Sequence, residues 1–293
     1  MAGDVKLLVE VIVALVLVSA FLHALWNALL RLERDKDRAL VAAVGVATLI
    51  AIALAGIRWG LGETPFPNAA SAVWALVAGV LEWAYFASLA KALARGALGP
   101  MYTISRGGAI VLVWPLSVIA YGESVVLTSV IGSAIVLGGL VLSSTGASSS
   151  RRTDRSALAW AIACAASIAG YHLAYKAALR CDGNPSAVFA LALALASAIN
   201  VARLGREGRR VAAALVRTRT WRVVMMGAIC GGSFLILMEA LARGGSGYVL
   251  TLRNTSVLFA TGLAVVIGER PMRAHVVGAA LVAAGAVVMA WQA

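Results

Sequence analysis

The chain alternates long apolar runs with short polar connections. Ten runs of roughly twenty residues stand out, at about 7–30, 39–57, 71–94, 99–120, 125–144, 156–178, 186–202, 222–242, 247–267 and 274–292. A helix rises about 1.5 Å per residue, so about twenty residues cross about 30 Å of hydrocarbon, and each run predicts one membrane-crossing helix. The connections carry the Gly, Pro and Asn that turns select. After the fifth run, "STGASSSRRTDRS" is Ser-rich and charged, which reads as a linker. The predicted units are 1–146, a linker at 147–155, and 156–293.

The two units repeat each other. "ALARG" at 92–96 returns at 240–244, Gly99 matches Gly247, and Thr103 matches Thr251. Gly122-Glu123 matches Gly268-Glu269, and each Glu is followed by a Gly at +9 (Gly132, Gly278) and at +16 (Gly139, Gly285). His23 matches His172, Trp26 matches Tyr175, and Arg31 matches Arg180, with short gaps between these blocks. Five spans is an odd number, so the second unit must cross the membrane in the opposite sense. The predicted fold is an all-α membrane protein of ten transmembrane helices built from two inverted five-helix repeats, a pattern found in transporters.

The segments "GESVVLTSVIGSAIVLGGLVLSS" and "GERPMRAHVVGAALVAAGAVVMA" resemble the end of the EamA-type repeat of the drug/metabolite transporter superfamily. That repeat closes its fourth helix with Gly-Glu and spaces glycines along its fifth. The resemblance covers nearly the whole chain in two copies. It implies a ten-helix carrier of amino acids, metabolites or other small polar solutes, and leaves the solute open. One departure stands out. The small multidrug branch of the superfamily uses a Glu in its first helix for protons and substrate, whereas here Glu10 lies near the helix start and His23 takes the mid-helix position.

Composition agrees with a membrane protein. Of 293 residues, 61% are hydrophobic and 13% charged, against about 25% charged in soluble domains. Mean hydropathy is +0.91. The net charge of +12 does not imply nucleic acid, because the cations are distributed by connection. Eighteen of the 25 Lys and Arg flank the odd-numbered connections, which the positive-inside rule places in the cytoplasm, with both termini outside. Relatives are drawn with cytoplasmic termini, and the charge distribution of this chain points the other way. The seven arginines from Arg203 to Arg222 read as an anchor lying on anionic headgroups. The first apolar run is too long for a cleavable signal peptide. Cys164, Cys181 and Cys230 are odd in number and scattered, with no disulfide or metal spacing.

Polar residues inside the runs carry the candidate chemistry. His23, Trp26 and Asn27 stand at i, i+3 and i+4 and share one helix face, which Ser19 extends. His172, Tyr175 and Lys176 repeat the trio. Each His lies eight residues from the Arg at its helix end, about 12 Å and close to the bilayer midplane. Glu82 is central in the third span, with Tyr85 and Phe86 on its face; it is expected to pair with Arg106 or Arg253, or to exchange a proton. Arg106, a turn beyond Tyr102, and the Arg253-Asn254 pair sit at similar depth. An Arg suits a substrate carboxylate because its fork donates two parallel hydrogen bonds. Glu82 suits an ammonium group. The candidate substrate site is therefore His23, Trp26, Asn27, Glu82, Tyr85, Tyr102, Arg106, His172, Tyr175, Lys176, Arg253 and Asn254. Pro115 is expected to kink the fourth span beside it, as a hinge or as a fixed bend. Lys91, Glu239, Glu123 and Glu269 read as span-end features.

No phosphate-binding loop, paired catalytic carboxylates, metal-type His pair or Ser nucleophile elbow is found, so no cofactor and no enzymatic activity are implied. The expectation is a secondary transporter in the inner membrane, exporting a small zwitterion such as an aromatic or apolar amino acid. Protons are a candidate co-substrate, lipids are the surroundings, and the protein is a monomer or homodimer. The alternative is a flippase, or a carrier of a lipid-linked or cationic solute.

Overall fold

The structure, a computed structural model, describes residues 2–121, 127–145, 155–244 and 246–290. Among these residues every regular element is a helix. In order they are α1 (Ala2–Arg31), α2 (Lys36–Gly60), α3 (Ala69–Arg95), α4 (Leu98–Tyr121), α5 (Leu127–Thr145), α6 (Arg155–Arg180), α7 (Pro185–Arg203), α8 (Gly205–Thr218), α9 (Thr220–Arg243), α10 (Ser246–Arg253), α11 (Ser256–Val266) and α12 (Arg273–Ala290). Glu123 and linker residues 147–154 lie outside the described residues.

Seven helices are long and apolar enough to cross a membrane: α1 to α4, α6, α7 and α9. They coincide with seven of the predicted spans. The other three predicted spans correspond to shorter apolar helices at Val130–Leu142, Ser256–Val266 and Arg273–Val288. The predicted ninth span is interrupted, because α10 ends at Arg253 and α11 starts at Ser256. Across the break the backbone bonds tighten to i, i−3 spacing, from the Thr255 amide to the Leu252 carbonyl at 3.1 Å and from Val257 to Asn254 at 2.9 Å. Thr255 Oγ1 donates to the Leu252 carbonyl at 2.9 Å, and Asn254 Nδ2 to that of Arg106 at 3.3 Å.

Local signals set the helix starts. Asp35 caps α2 by accepting from the Arg38 amide at 3.1 Å. Asn68 caps α3, accepting from Ser71 at 2.9 Å, and Asn184 caps α7 just before Pro185. The Arg-rich stretch forms helix α8, which buries Gly208 and Ala212, exposes Arg206, Arg209 and Arg210, and packs on α2, α7 and α9. Pro115 does not end α4, and it is exposed rather than facing the interior. Its ring therefore faces away from the polar centre, on an uninterrupted helix.

Packing brings the two halves of the chain together throughout. The largest contact is α3 on α6, followed by α5 on α12. Contacts α3–α6 and α1–α9, α3–α7 and α2–α9, and α4–α6 and α1–α11 all occur, as do α2–α7 and α4–α11. Backbones touch where glycine removes the side chain. A Cβ on Gly79 would lie 2.6 Å from the Ala192 carbonyl, and one on Gly227 would lie 2.6 Å from that of Ala43. On Gly139 it would meet the Gly278 carbonyl, and on Gly285 that of Gly132, each at 2.6 Å.

Both ends of the bundle are tied by ion pairs. At one end Arg31 donates to Glu269 at 3.0 Å, and Glu269 also caps the Leu98 amide of α4. Arg219 and Arg222 both reach Glu33, and Arg203 reaches Asp37 at 2.6 Å. At the other end Arg58 joins Glu63 to Glu239, which also receives Arg243. Glu63 accepts from Asn184 as well. The Arg58 guanidinium holds the Glu63 carboxyl below the usual carboxylate range. Lys91 packs its ammonium 3.9 Å from the Trp160 ring centroid. These are the span-end roles expected of Lys91, Glu239 and Glu269.

Candidate functional site: a buried polar centre

Helices α1, α3, α4, α6 and α10 carry polar side chains into one buried cluster. His23 of α1 is its hub, with 0% exposure. Arg253 Nη2 lies 3.1 Å from His23 Nδ1, and Trp26 Nε1 approaches the same nitrogen at 3.4 Å. The opposite nitrogen, Nε2, meets the Arg106 guanidinium and the Tyr85 hydroxyl, the latter at 3.3 Å. The i, i+3 spacing of His23 and Trp26 makes that contact local. Both arginines come from the fourth predicted span and the interrupted ninth, which pack together.

Glu82 is also fully buried, and it does not pair with an arginine. Its Oε2 accepts from the Tyr175 hydroxyl at 2.7 Å, and its Oε1 has no hydrogen-bond partner. The expected Glu82–Arg106 or Glu82–Arg253 ion pair is therefore corrected. The reason is packing: α3 lies against α6, which presents Tyr175, and the arginines turn to the α1 imidazole instead.

Most of the predicted residues converge, with differing roles. Asn27 donates to its own helix at the His23 carbonyl, and its Oδ1 is unpartnered. Asn254 ties α10 to α4 through the Arg106 carbonyl. His172 is buried with its ring 4.3 Å from that of Tyr171, and its Nδ1 lacks a partner. The Tyr102 ring faces Arg106, and its hydroxyl is unpartnered. Lys176 does not converge. It donates to the Leu241 and Gly244 carbonyls, where the C-terminus of α9 offers unpaired acceptors.

Two cluster members were missed in the sequence. Tyr171 packs between Tyr85 and His172, with an unpartnered hydroxyl, and Arg253 rests 4.8 Å from the Phe234 ring. Phe234 was findable, since the "ALARG" register aligns it with Phe86. Tyr171 aligns with Leu22, so the repeat carried no signal for it. Among the described residues no His, Cys, Asp and Glu grouping fits a metal ion.

Seven helices long and apolar enough to cross a membrane, enclosing buried charged groups of both signs, are the features of a multi-pass membrane protein. Residues 155–291 match the model of the EamA-like transporter family, so the second half of the chain is similar to that family. A solved structure described only as "Crystal structure of protein" has a TM-score of 0.63 at 20% identity, covering 98% of this chain and 98% of its own. Likeness at that identity speaks to the fold alone. No curated protein matches the chain.

Proposed function

We propose that the protein is a secondary transporter that moves a small polar metabolite across the inner membrane by alternating access between two inverted five-helix repeats. Amino acids and their carboxylate-bearing derivatives, with aromatic or apolar side chains, are the first candidates, and export is the favoured direction. One observation carries the reading. Fully buried polar atoms are left without partners in the middle of the bundle: donors at Arg253 Nε and Nη1, and an acceptor at Glu82 Oε1. Such orphans are costly unless something else occupies them. A carboxylate matches the arginine fork and an ammonium or a proton matches Glu82, while Trp26, Tyr85, Tyr171 and Phe234 supply aromatic surface.

The repeat reading is supported by exchange of halves. Each contact named above, such as α3–α7, has its counterpart, α2–α9, when α1, α2, α3, α4 and α5 are swapped for α6, α7, α9, α10–α11 and α12. The close approach of Gly79 to Ala192 is matched in this way by that of Gly227 to Ala43. Movement of one unit against the other would break the ion pairs of one end at a time. The charge distribution places Arg31, Arg203 and Arg219 on the cytoplasmic side.

The test is flux in proteoliposomes holding purified protein, surveyed over amino acids, amines and nucleotide sugars. Saturable flux of one class is expected, reduced several-fold by Trp26→Ala, since an aromatic contact is worth about 1 kcal/mol. Absence of flux for every class would refute the transporter reading.

A further inference from the structure

The polar centre holds more hydrogen-bond donors and more positive charge than its own residues can satisfy. Arg253 and Arg106 address opposite nitrogens of the same imidazole, that of His23. A neutral imidazole has one lone pair, and its other nitrogen carries hydrogen. Either tautomer therefore leaves one arginine facing an N–H. Protonating the ring would place a third positive charge between two guanidiniums. Trp26 Nε1 and the Tyr85 hydroxyl crowd the same two nitrogens. Arg253 Nε and Nη1 and the hydroxyls of Tyr102 and Tyr171 have no partner at all.

Formal charge points the same way. Arg106 and Arg253 contribute +2 and Glu82 contributes −1, so this buried set stands at +1, or at +2 with Glu82 protonated. Lys176 and Lys91 are engaged elsewhere, on carbonyls of the α9 end and on Trp160. A zwitterion would leave the excess unchanged. A monoanion would cancel an excess of +1 and halve one of +2, and uncompensated charge in a low-dielectric interior is strongly disfavoured.

We propose that this site takes an organic anion, a solute with at least one more negative than positive charge, whose acidic group displaces the His23 imidazole from Arg253 and Arg106. This rests on the transporter reading above and narrows its substrate. The displaced imidazole keeps Tyr85 and Trp26 as its partners.

The test is a charge series on one skeleton, with binding to the purified full-length protein read by tryptophan fluorescence and thermal shift, and flux read separately in proteoliposomes. The probes are phenylalanine, N-acetylphenylalanine, 3-phenylpropionate and phenylalanine amide, with glutamate against glutamine as a second skeleton. The anions should bind about tenfold tighter or more than the matched zwitterions, and the cationic amide should not bind. Arg253→Gln and Arg106→Gln, each of which removes one positive charge, should shift preference toward the zwitterion. Glu82→Gln should shift it toward dianions such as N-acetylaspartate. A purely structural arginine would produce no such ordered shift. Zwitterions that bind as tightly as the anions, or anions that do not bind on either skeleton, would overturn the proposal even if flux is found. Anion binding without flux of any solute would instead leave the proposal standing as a binding site and sink the transporter reading.

Discussion

Glu82→Gln separates two roles that a buried carboxylate can have. A Glu that neutralises a buried arginine is a strut, and removing one partner of such a pair costs about 3–5 kcal/mol because a charge is left unpaired. The structure gives Glu82 no such partner: its one hydrogen bond comes from the Tyr175 hydroxyl at 2.7 Å, and its second oxygen is unbonded. A Gln carbonyl can accept the same bond. The loss is then the difference between a charge-assisted and a neutral hydrogen bond, about 1 kcal/mol. Glu82→Gln should therefore express and melt close to wild type in detergent. In liposomes with and without an imposed pH gradient, it should still carry solute but lose the response to the gradient, because an amide cannot take up and release the proton. Misfolding or near-absence of protein would refute the reasoning from geometry. A folded variant with the wild-type gradient response would remove Glu82 from coupling while leaving the site itself in place.

Two further predictions test the architecture. Gly139→Ala places a Cβ 2.6 Å from the Gly278 carbonyl, a backbone atom that cannot step aside, whereas Gly138→Ala points into open space. Overpacking should cost the first variant about 1–3 kcal/mol and lower its melting temperature, with the second unchanged, and equal melting of the two would refute the α5–α12 contact. Single cysteines in the 31–38 or 203–222 segments should resist an impermeant thiol reagent on intact cells while one in 58–68 reacts. The reverse labelling would invert the orientation argued from charge.

Much of the architecture is legible along the chain because a bilayer imposes a one-dimensional rule. Backbone polar groups in hydrocarbon must bond within their own helix, so apolar run length alone marks the seven long helices, and Asn68, Asn184 and Asp35 mark where helices begin. Helical spacing put His23, Trp26 and Asn27 on one face, and repeat matching found His172 and Tyr175 beside Glu82 and Arg253. What the chain by itself determined was therefore its class, most of its spans, and which polar residues had to find one another. Only the tertiary structure decided the pairing among them. Sequence charge suggested Glu82 with an arginine, yet α3 packs on α6 and Tyr175 reaches it first, while both arginines meet His23 from α4 and from the interrupted α10–α11. Lys176 sits at the right spacing but bonds the α9 end, and Tyr171 enters the centre with no repeat counterpart. Periodicity places a side chain on a face of its own helix. Which neighbour that face meets depends on helix crossings, set by close contacts such as Gly79 on Ala192 and Gly227 on Ala43, and these lie between residues far apart in the chain.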